Sequence, residues 1–294
     1  LTSESDDGIV ARRGLFPMSS PAVPAPFSSC PAAARAGCTR LFFDVDDTLT
    51  WHGRLPEVAV RALYRAKDAG LMLCAVTGRS FAWGELMVRL FPLDAVVAET
   101  GANALFFDRA GRLRVLHHEE DRARHALKAK REAAAAAALA AIPRARLATD
   151  NVGRVADTAF DLVEEGDPLP EDDVVALRQL LHEHGLVTAR SSVHVNAFAF
   201  GERGAFSKAS MVDRLLREAA GTTLDEAAAT LCYVGDSTND GSLFCRAALS
   251  VGVQNVAPHL EALRDAGQMP RFVVDAPGGH GFARVVDLLL EGRG

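Results

Sequence analysis

Short apolar runs that stop abruptly at polar or acidic residues set the rhythm of the first third of this chain. Leu41-Phe42-Phe43 is one such run, and acids follow it at once. From Pro56 to Ala69 apolar residues recur at helical spacing and Gly70 closes the pattern, which predicts an amphipathic helix. Leu71 to Val76 is a second apolar run, ending at Thr77-Gly78-Arg79. Phe81 to Leu90 reads as helix and Ala95 to Ala98 as a third strand. Strands alternating with helices in this way predict a parallel sheet of the α/β class.

The rhythm changes after residue 104. Leu105 to Phe107 and Arg112 to Leu116, with Arg109-Ala110-Gly111 between them, predict a hairpin. His125 to Ile142 is alanine-rich, with an unbroken run from Ala133 to Ala138. Alanine is the best helix former, so this segment reads as a helix with a small-residue packing face rather than a linker. Val155 to Val163 alternates as a strand does, Glu171 to His184 predicts helix, and Val187 to Phe200 is strand-like. The α/β rhythm then returns. Lys208 to Ala219 predicts helix, Ala229 to Val234 a strand ending in Gly235-Asp236, Leu249 to Val253 another strand, and Phe282 to Leu290 a last helix. The expected fold is therefore α/β: a Rossmann-like parallel-sheet core in two pieces, 39–104 and 204–294, with an α+β insert at 105–203.

Residues 1–38 are rich in Ser, Ala and Pro, including Pro17, Pro21, Pro24, Pro26 and Pro31, and lack the continuous apolar centre of a signal peptide. They read as a flexible tail, within which Met18 is a candidate natural start. The net charge of −6 argues against broad nucleic-acid binding, which needs a basic face. It leaves an anionic substrate open, because a bound cation reverses the local field. No apolar run is long enough to cross a bilayer, so no membrane partner is expected. The five cysteines form no CxxC pair and no Cys/His cluster, which excludes a zinc or disulfide framework and suits a reducing cytoplasm. Cys74 and Cys232 sit in apolar runs and read as core.

Four groups carry candidate chemistry. Asp44-Val45-Asp46-Asp47-Thr48 follows a strand, and ligands of parallel α/β sheets bind at the carboxyl ends of strands. Two carboxylates that close need a cation or a shared proton. Thr77-Gly78-Arg79 supplies a hydroxyl, a close-approach glycine and free amides, the makings of a phosphate cradle. Lys208 opens a helix. Gly235-Asp236-Ser237-Thr238-Asn239-Asp240 brings two more acids to a strand end, suited to a hard, oxygen-liganded ion such as magnesium. Each group alone is ordinary; their joint order is not.

In that order the four groups resemble the motifs of the haloacid dehalogenase superfamily, from Leu41 to the C-terminus. The resemblance implies that Asp44 is the nucleophile forming an aspartyl-phosphate, and Asp46 the acid and then base. It implies that Thr77, Gly78 and Lys208 hold phosphoryl oxygens and that Asn239 contacts either the phosphate or the metal shell. It implies a Mg2+ cofactor on Asp44, the Asp46 carbonyl and Asp236, with Asp240 either supporting the metal or orienting Lys208. A carboxylate at position 46 is what separates the family's phosphatases from its dehalogenases.

The placement of the insert points to a branch. Asp44 to Thr77 leaves no room for an extra domain, whereas Lys208 lies 131 positions after Thr77. This resembles the Cof-type, sucrose-phosphatase-like branch, with a large α+β cap between the second and third motifs. Glu99-Thr100-Gly101-Ala102 and Ser191 to Phe198 resemble that branch as well, although Thr100 stands where many members have Asn. The cap is expected to supply specificity. Ser192, His194 and Asn196 would share one polar strand face, either toward sugar hydroxyls or as an exposed sheet surface, and Arg154 would meet a second anionic group. Gly201 and Gly204 are candidate hinges, and His117 and His118 read as surface residues.

The function that follows is magnesium-dependent hydrolysis of a small phosphorylated metabolite, a sugar phosphate in the first instance. The alternatives are a phosphomutase of the same superfamily and a non-catalytic phosphosugar-binding protein.

Overall fold

A computed structural model describes residues 21, 23–291 and 293. The first part of the chain runs β1 (Ala25–Pro26), α1 (Ala32–Ala36), β2 (Arg40–Phe43), α2 (Glu57–Asp68), β3 (Met72–Val76), α3 (Phe81–Leu90), β4 (Ala95–Ala98), β5 (Asn103–Phe107) and β6 (Leu113–His117). The middle part runs α4 (Asp121–Ala141), β7 (Asp157–Asp161), α5 (Glu171–Glu183), β8 (Val187–Arg190) and β9 (His194–Phe198). The last part runs α6 (Lys208–Ala220), α7 (Leu224–Ala227), β10 (Leu231–Gly235), α8 (Gly241–Phe244), β11 (Leu249–Gly252), α9 (Leu260–Asp265), β12 (Phe272–Val273) and α10 (Gly278–Leu290). No helix among the described residues is long and apolar enough to cross a membrane.

The main sheet has the order β1-β12-β11-β10-β2-β3-β4-β5-β6. Its strands are parallel from β1 through β4, and β5 and β6 are antiparallel. The apolar run of β2 explains its central place, because every side chain after Arg40 is buried. Leu41 and Phe43 face one layer with Leu63 of α2 and Phe282 of α10, while Phe42 faces the other with Met211, Val212 and Leu215 of α6. Phe43 and Phe282 meet edge to face at 4.8 Å. From β2 the chain goes to β3 on one side and, after the insert, returns through β10 on the other. The carboxyl end of β2 is thus the switch point of the sheet, where such folds bind ligands.

A second sheet, β7-β9-β8, is antiparallel and is covered by α4 and α5. The alanine run does form a packing face: Ala134, Ala135 and Ala138 of α4 are buried against Phe160, Leu177 and Val195. Small side chains let that helix lie close to the sheet.

Three expectations change. The hairpin expected to open the insert instead continues the main sheet, with β5 pairing antiparallel to β4. Its pattern suits a central strand, because Ala104 and Phe106 join the core layer of Phe42 while Leu105 joins that of Leu41. The tail is also built into the fold from Ala25 onward. Ala25 and Pro26 pair with Phe272 and Val273, and Phe27 is buried 5.5 Å from Phe272. Proline is tolerated there because β1 is the sheet edge, and burying one phenylalanine contributes roughly 1.5–3 kcal/mol. Met18 and residues 1–20 of the expected tail lie outside the described residues. Finally, His117 and His118 are half-buried: His117 Nδ1 pairs with Asn103 Oδ1 at 2.7 Å and His118 Nε2 with the Gly204 carbonyl at 3.1 Å.

Candidate active site

The amide of Asp44 donates to the Val234 carbonyl at 2.9 Å, extending the β2–β10 ladder by one residue. The chain then folds sharply: the amides of Thr48, Leu49 and Thr50 all reach the Val45 carbonyl, and Asp47 takes φ 52°. Asp44, Asp46 and Asp236 are all buried. A capping box between Ser207 and Ser210 fixes the start of α6, so Lys208, its first residue, enters the same site.

Lys208 Nζ lies 2.7 Å from Asp240 Oδ1, 2.8 Å from Asn239 Oδ1 and 3.1 Å from Asp44 Oδ1. All three ammonium donors therefore have acceptors. Asp240 is equally occupied. Its Oδ1 also accepts from the Tyr233 hydroxyl at 2.5 Å, and its Oδ2 accepts from the amides of Asp236 and Ser237 at 3.0 and 3.1 Å. Asp236 Oδ1 accepts from Thr48 Oγ1 at 3.0 Å, and Asn255 Nδ2 reaches Asp236 Oδ2 at 3.4 Å and the Asp47 carbonyl at 2.9 Å. Asp44 keeps the most open acceptor capacity.

Carboxylate oxygens of Asp44, Asp236 and Asp240 lie within 4.8 Å of one another. Burial pushes Asp44 up to about 7; Lys208 opposes this, while Asp240 and Asp46 reinforce it. Burial, then Asp240 and Asp44, hold Asp236 well above the usual carboxylate range. Lys208 is held above its usual value by Asp240 and Asp44 even though burial opposes its charge. One ammonium among these buried acids leaves negative charge uncompensated. Asp44 and Asp236 keep hard oxygen donors available, so the donor set fits a divalent cation of the magnesium kind. Asp240, with both oxygens engaged, holds Lys208, the second of the two roles expected of it, while its carboxylate stays beside those of Asp44 and Asp236.

Thr77 is fully buried, and its Oγ1 accepts from the Arg79 amide at 3.0 Å. The Gly78 carbonyl is gripped from the second sheet by Arg154 Nη1 at 2.9 Å and Asn196 Nδ2 at 3.1 Å. A Cβ at Gly78 would lie 3.3 Å from Asn196 Oδ1, so the close approach favours glycine.

Arg154 does not fit the anion-recognition role expected of it. Its guanidinium is buried between Asp150, at 2.9 Å, and Asp157, at 2.9 Å, besides the Gly78 carbonyl. Those partners neutralise the charge that a substrate anion would need. Ser192 also departs from expectation. A turn at 191–193 separates β8 from β9, so only His194 and Asn196 share a strand face. Ser192 Oγ is buried without a hydrogen-bond partner. Asn196 Nδ2 donates to Asp157 Oδ2 at 2.8 Å, and His194 Nε2 lies 2.7 Å from Glu164 Oε2.

The sequence reading assigned no role to several residues that build this region. Arg79 Nε and Nη2 hold the Asp46 carboxylate at 2.9 and 2.6 Å, while Nη2 and Nη1 hold Glu164 at 2.6 and 3.1 Å. Glu99 is buried, and its carboxylate accepts from the amides of Phe81, Val155, Ala156 and Asp157. Arg79, Glu99 and Asn255 each follow a strand of the main sheet, so the strand-end criterion that found Asp44 also marks them. Glu164 and Tyr233 carried no such signal. A cleft of about 580 Å³ lies between the two sheets' loops, lined among others by Asp47, Arg54, Arg79, Asp150, Glu164 and Glu165.

Comparison with protein families matches residues 41–136 to the haloacid dehalogenase-like hydrolases. The chain is 28% identical over 267 residues to a phosphoglycolate phosphatase of Pyrobaculum neutrophilum, covering 87% of this chain and 97% of that protein. Among solved structures, Thermoplasma acidophilum 0175 superposes with a TM-score of 0.62 at 20% identity, covering 86% of this chain and 98% of its own. The C-terminal domain of trehalose-6-phosphate phosphatase from C. albicans gives 0.65 at 13% identity, covering 91% and 98%. The sucrose-phosphatase of Synechocystis sp. PCC6803, solved with sucrose and phosphate, gives 0.55 at 16% identity, covering 85% and 97%.

Proposed function

We propose that this chain, whose residues 41–136 match the haloacid dehalogenase-like hydrolases, is a member of that family and a magnesium-dependent phosphatase of sugar phosphates acting through an aspartyl-phosphate. The observation that carries this reading is the meeting of Lys208 Nζ with Asp44 Oδ1, 3.1 Å apart, at the switch point of the sheet and beside the Asp236 carboxylate.

In this reading Asp44 attacks phosphorus in line. Asp46 gives its proton to the leaving oxygen and then takes one from the water that hydrolyses the acyl phosphate. Lys208, held by Asp240 and Asn239, would turn the donor it now gives Asp44 to the phosphoryl oxygens, together with the Thr77 hydroxyl and the Gly78 amide. Asp44, Asp236 and the Asp46 carbonyl would hold the cation. When bound, it would neutralise the charge that otherwise repels an anionic nucleophile from an anionic phosphate. The physical argument for it is the cluster of buried acids around the one ammonium of Lys208. Asp240 serves the site through Lys208, and the segment from Asp121 to Phe198 forms the cap.

A hydroxylated leaving group suits the cleft. Asp47, Asp150, Glu164 and Glu165 line it together with Arg54 and an Arg79 already paired with Glu164, so acids outnumber arginines there and disfavour a second substrate carboxylate. Phosphoglycolate is the second reading, favoured by the Pyrobaculum relative.

The test is phosphate release from hexose phosphates, trehalose 6-phosphate, sucrose 6-phosphate and 2-phosphoglycolate with Mg2+ present, in the wild type and in Asp44→Asn. Highest kcat/KM on a sugar phosphate and no turnover by the variant are expected. A preference for 2-phosphoglycolate would reverse the substrate class, and an active Asp44→Asn would remove the nucleophile.

A further inference from the structure

Arg79 is an unusual arginine, because one guanidinium serves two carboxylates that come from opposite sides of the cleft. Its Nε–Nη2 edge grips Asp46, at 2.9 and 2.6 Å. Its other edge grips Glu164, in the loop after β7, at 2.6 and 3.1 Å. The arginine is almost fully buried, its side chain 5% exposed, and its guanidinium carbon stands 4.6 Å from the centre of the Trp83 ring. A planar fork satisfied on both edges has little rotational freedom.

Glu164 is itself held from behind. Its second oxygen pairs with His194 Nε2 at 2.7 Å. Its loop is organised by Asp161, whose carboxylate accepts from the amides of Val163, Glu164 and Glu165 and pairs with Arg146 at 2.6 Å. Burial alone would raise the Glu164 carboxyl, but hydrogen bonds from His194 and Arg79 bring it down to about 2. The chain Asp161–loop–Glu164–Arg79–Asp46 is therefore a continuous, preorganised path from the second sheet to the proposed acid.

We infer that Glu164 is a positioning residue: acting through Arg79, it aims the Asp46 carboxyl at the leaving oxygen. This rests on the reading of Asp46 as acid. In the step concerned the Asp44 oxygen–phosphorus bond forms, the phosphorus–ester oxygen bond breaks, and the Asp46 proton passes to that ester oxygen. With Glu164 removed, Arg79 and its grip on Asp46 lose their outer anchor, and proton delivery falters while nucleophilic attack by Asp44 survives. Leaving groups that need no proton should then suffer less than those that do.

The experiment measures kcat/KM, which reports steps through the first bond cleavage, for 4-nitrophenyl phosphate and benzyl phosphate. The wild type, Glu164→Ala, Glu164→Gln and Arg79→Ala are compared, each also in an Asp46→Asn background. General acid catalysis contributes about 10²–10⁴-fold, so Glu164→Ala should lose at least about tenfold more on benzyl phosphate than on the aryl ester. Glu164→Gln, which keeps the shape, should lose less. In the Asp46→Asn background the same change should leave the ratio of the two substrates unaltered. Equal losses on both esters in Glu164→Ala and Glu164→Gln, or a ratio that still shifts without Asp46, would overturn the inference while leaving the phosphatase reading intact. A wild type that hydrolyses neither ester would count against the phosphatase reading first.

Discussion

Gly101 lies directly beneath Ser207. A Cβ placed on Gly101 would stand 2.2 Å from the Ser207 carbonyl oxygen and 2.9 Å from the Lys208 amide, and Gly101 itself has φ +106°. The turn after β4 thus sets where α6 begins, and with it where Lys208 enters the site. Gly101→Ala should destabilise the fold by about 3 kcal/mol, since it adds a backbone clash to a disfavoured φ. It should also lower kcat/KM by pushing Lys208 away from Asp44. Denaturant unfolding together with steady-state kinetics checks both. Wild-type stability in this variant would mean that the turn and α6 are not packed together.

Thr100, next to it, is a β-branched residue at φ 57°. Asparagine adopts this left-handed region far more readily. Thr100→Asn should therefore raise stability, by about 1 kcal/mol if the strain at that position is fully relieved. A thermal melt reads this directly; a lowered Tm would show that contacts of the threonine side chain outweigh its backbone strain.

Arg154 is expected to act through architecture. Removing it leaves Asp150 and Asp157 without the ion-pair partner they share, and breaking a buried ion pair costs about 3–5 kcal/mol. Arg154→Ala should reduce stability strongly, and reduce activity on a sugar phosphate and on 4-nitrophenyl phosphate in the same proportion. A selective loss on the sugar phosphate would return Arg154 to substrate recognition.

Glu164 makes stability depend on pH in a definite direction. Its pKa falls from an ordinary 4.5 to about 2 in the folded chain, so the folded state binds the proton less readily than the unfolded state. Its contribution is present in full above about pH 4.5 and is lost as pH drops toward about 2. The Tm difference between wild type and Glu164→Gln should be constant near neutrality and shrink across that window. A difference that does not change with pH would contradict the ion pair.

Chelation should abolish phosphate release and added magnesium restore it, because Asp44 and Asp236 are buried acids with too few cations around them. Asp236→Asn should raise the magnesium concentration needed for half-maximal rate by about tenfold or more. Metal binding is measurable without turnover, by calorimetric titration of the resting protein with Mg2+. Undiminished hydrolysis after exhaustive chelation would end the metal assignment.

The sequence by itself determined the parts of this protein that local chemistry controls. Apolar runs of strand length bounded by acids or glycines marked β2, β3, β4 and β10, and helical periodicity marked α2, α3, α5 and α10, because burial and hydrogen bonding within an element leave a short-range imprint. The order of Asp44, Thr77, Lys208 and Asp236 was legible too, since parallel strands deliver successive strand ends to one edge. Tertiary structure alone decided who pairs with whom across long separations. Arg79 reaches 33 residues back to Asp46 and 85 residues on to Glu164, and Glu99 takes its amides from Val155, Ala156 and Asp157. Nothing in the local pattern distinguishes Arg154, saturated by two aspartates, from an arginine free to meet a ligand. The hairpin β5–β6 and the strand β1 were assigned to the wrong unit for the same reason: whether a short strand joins a sheet depends on which apolar faces and open edges lie nearby in space. Ion-pair saturation and sheet membership are properties of neighbourhoods, and a neighbourhood exists only once the chain has folded.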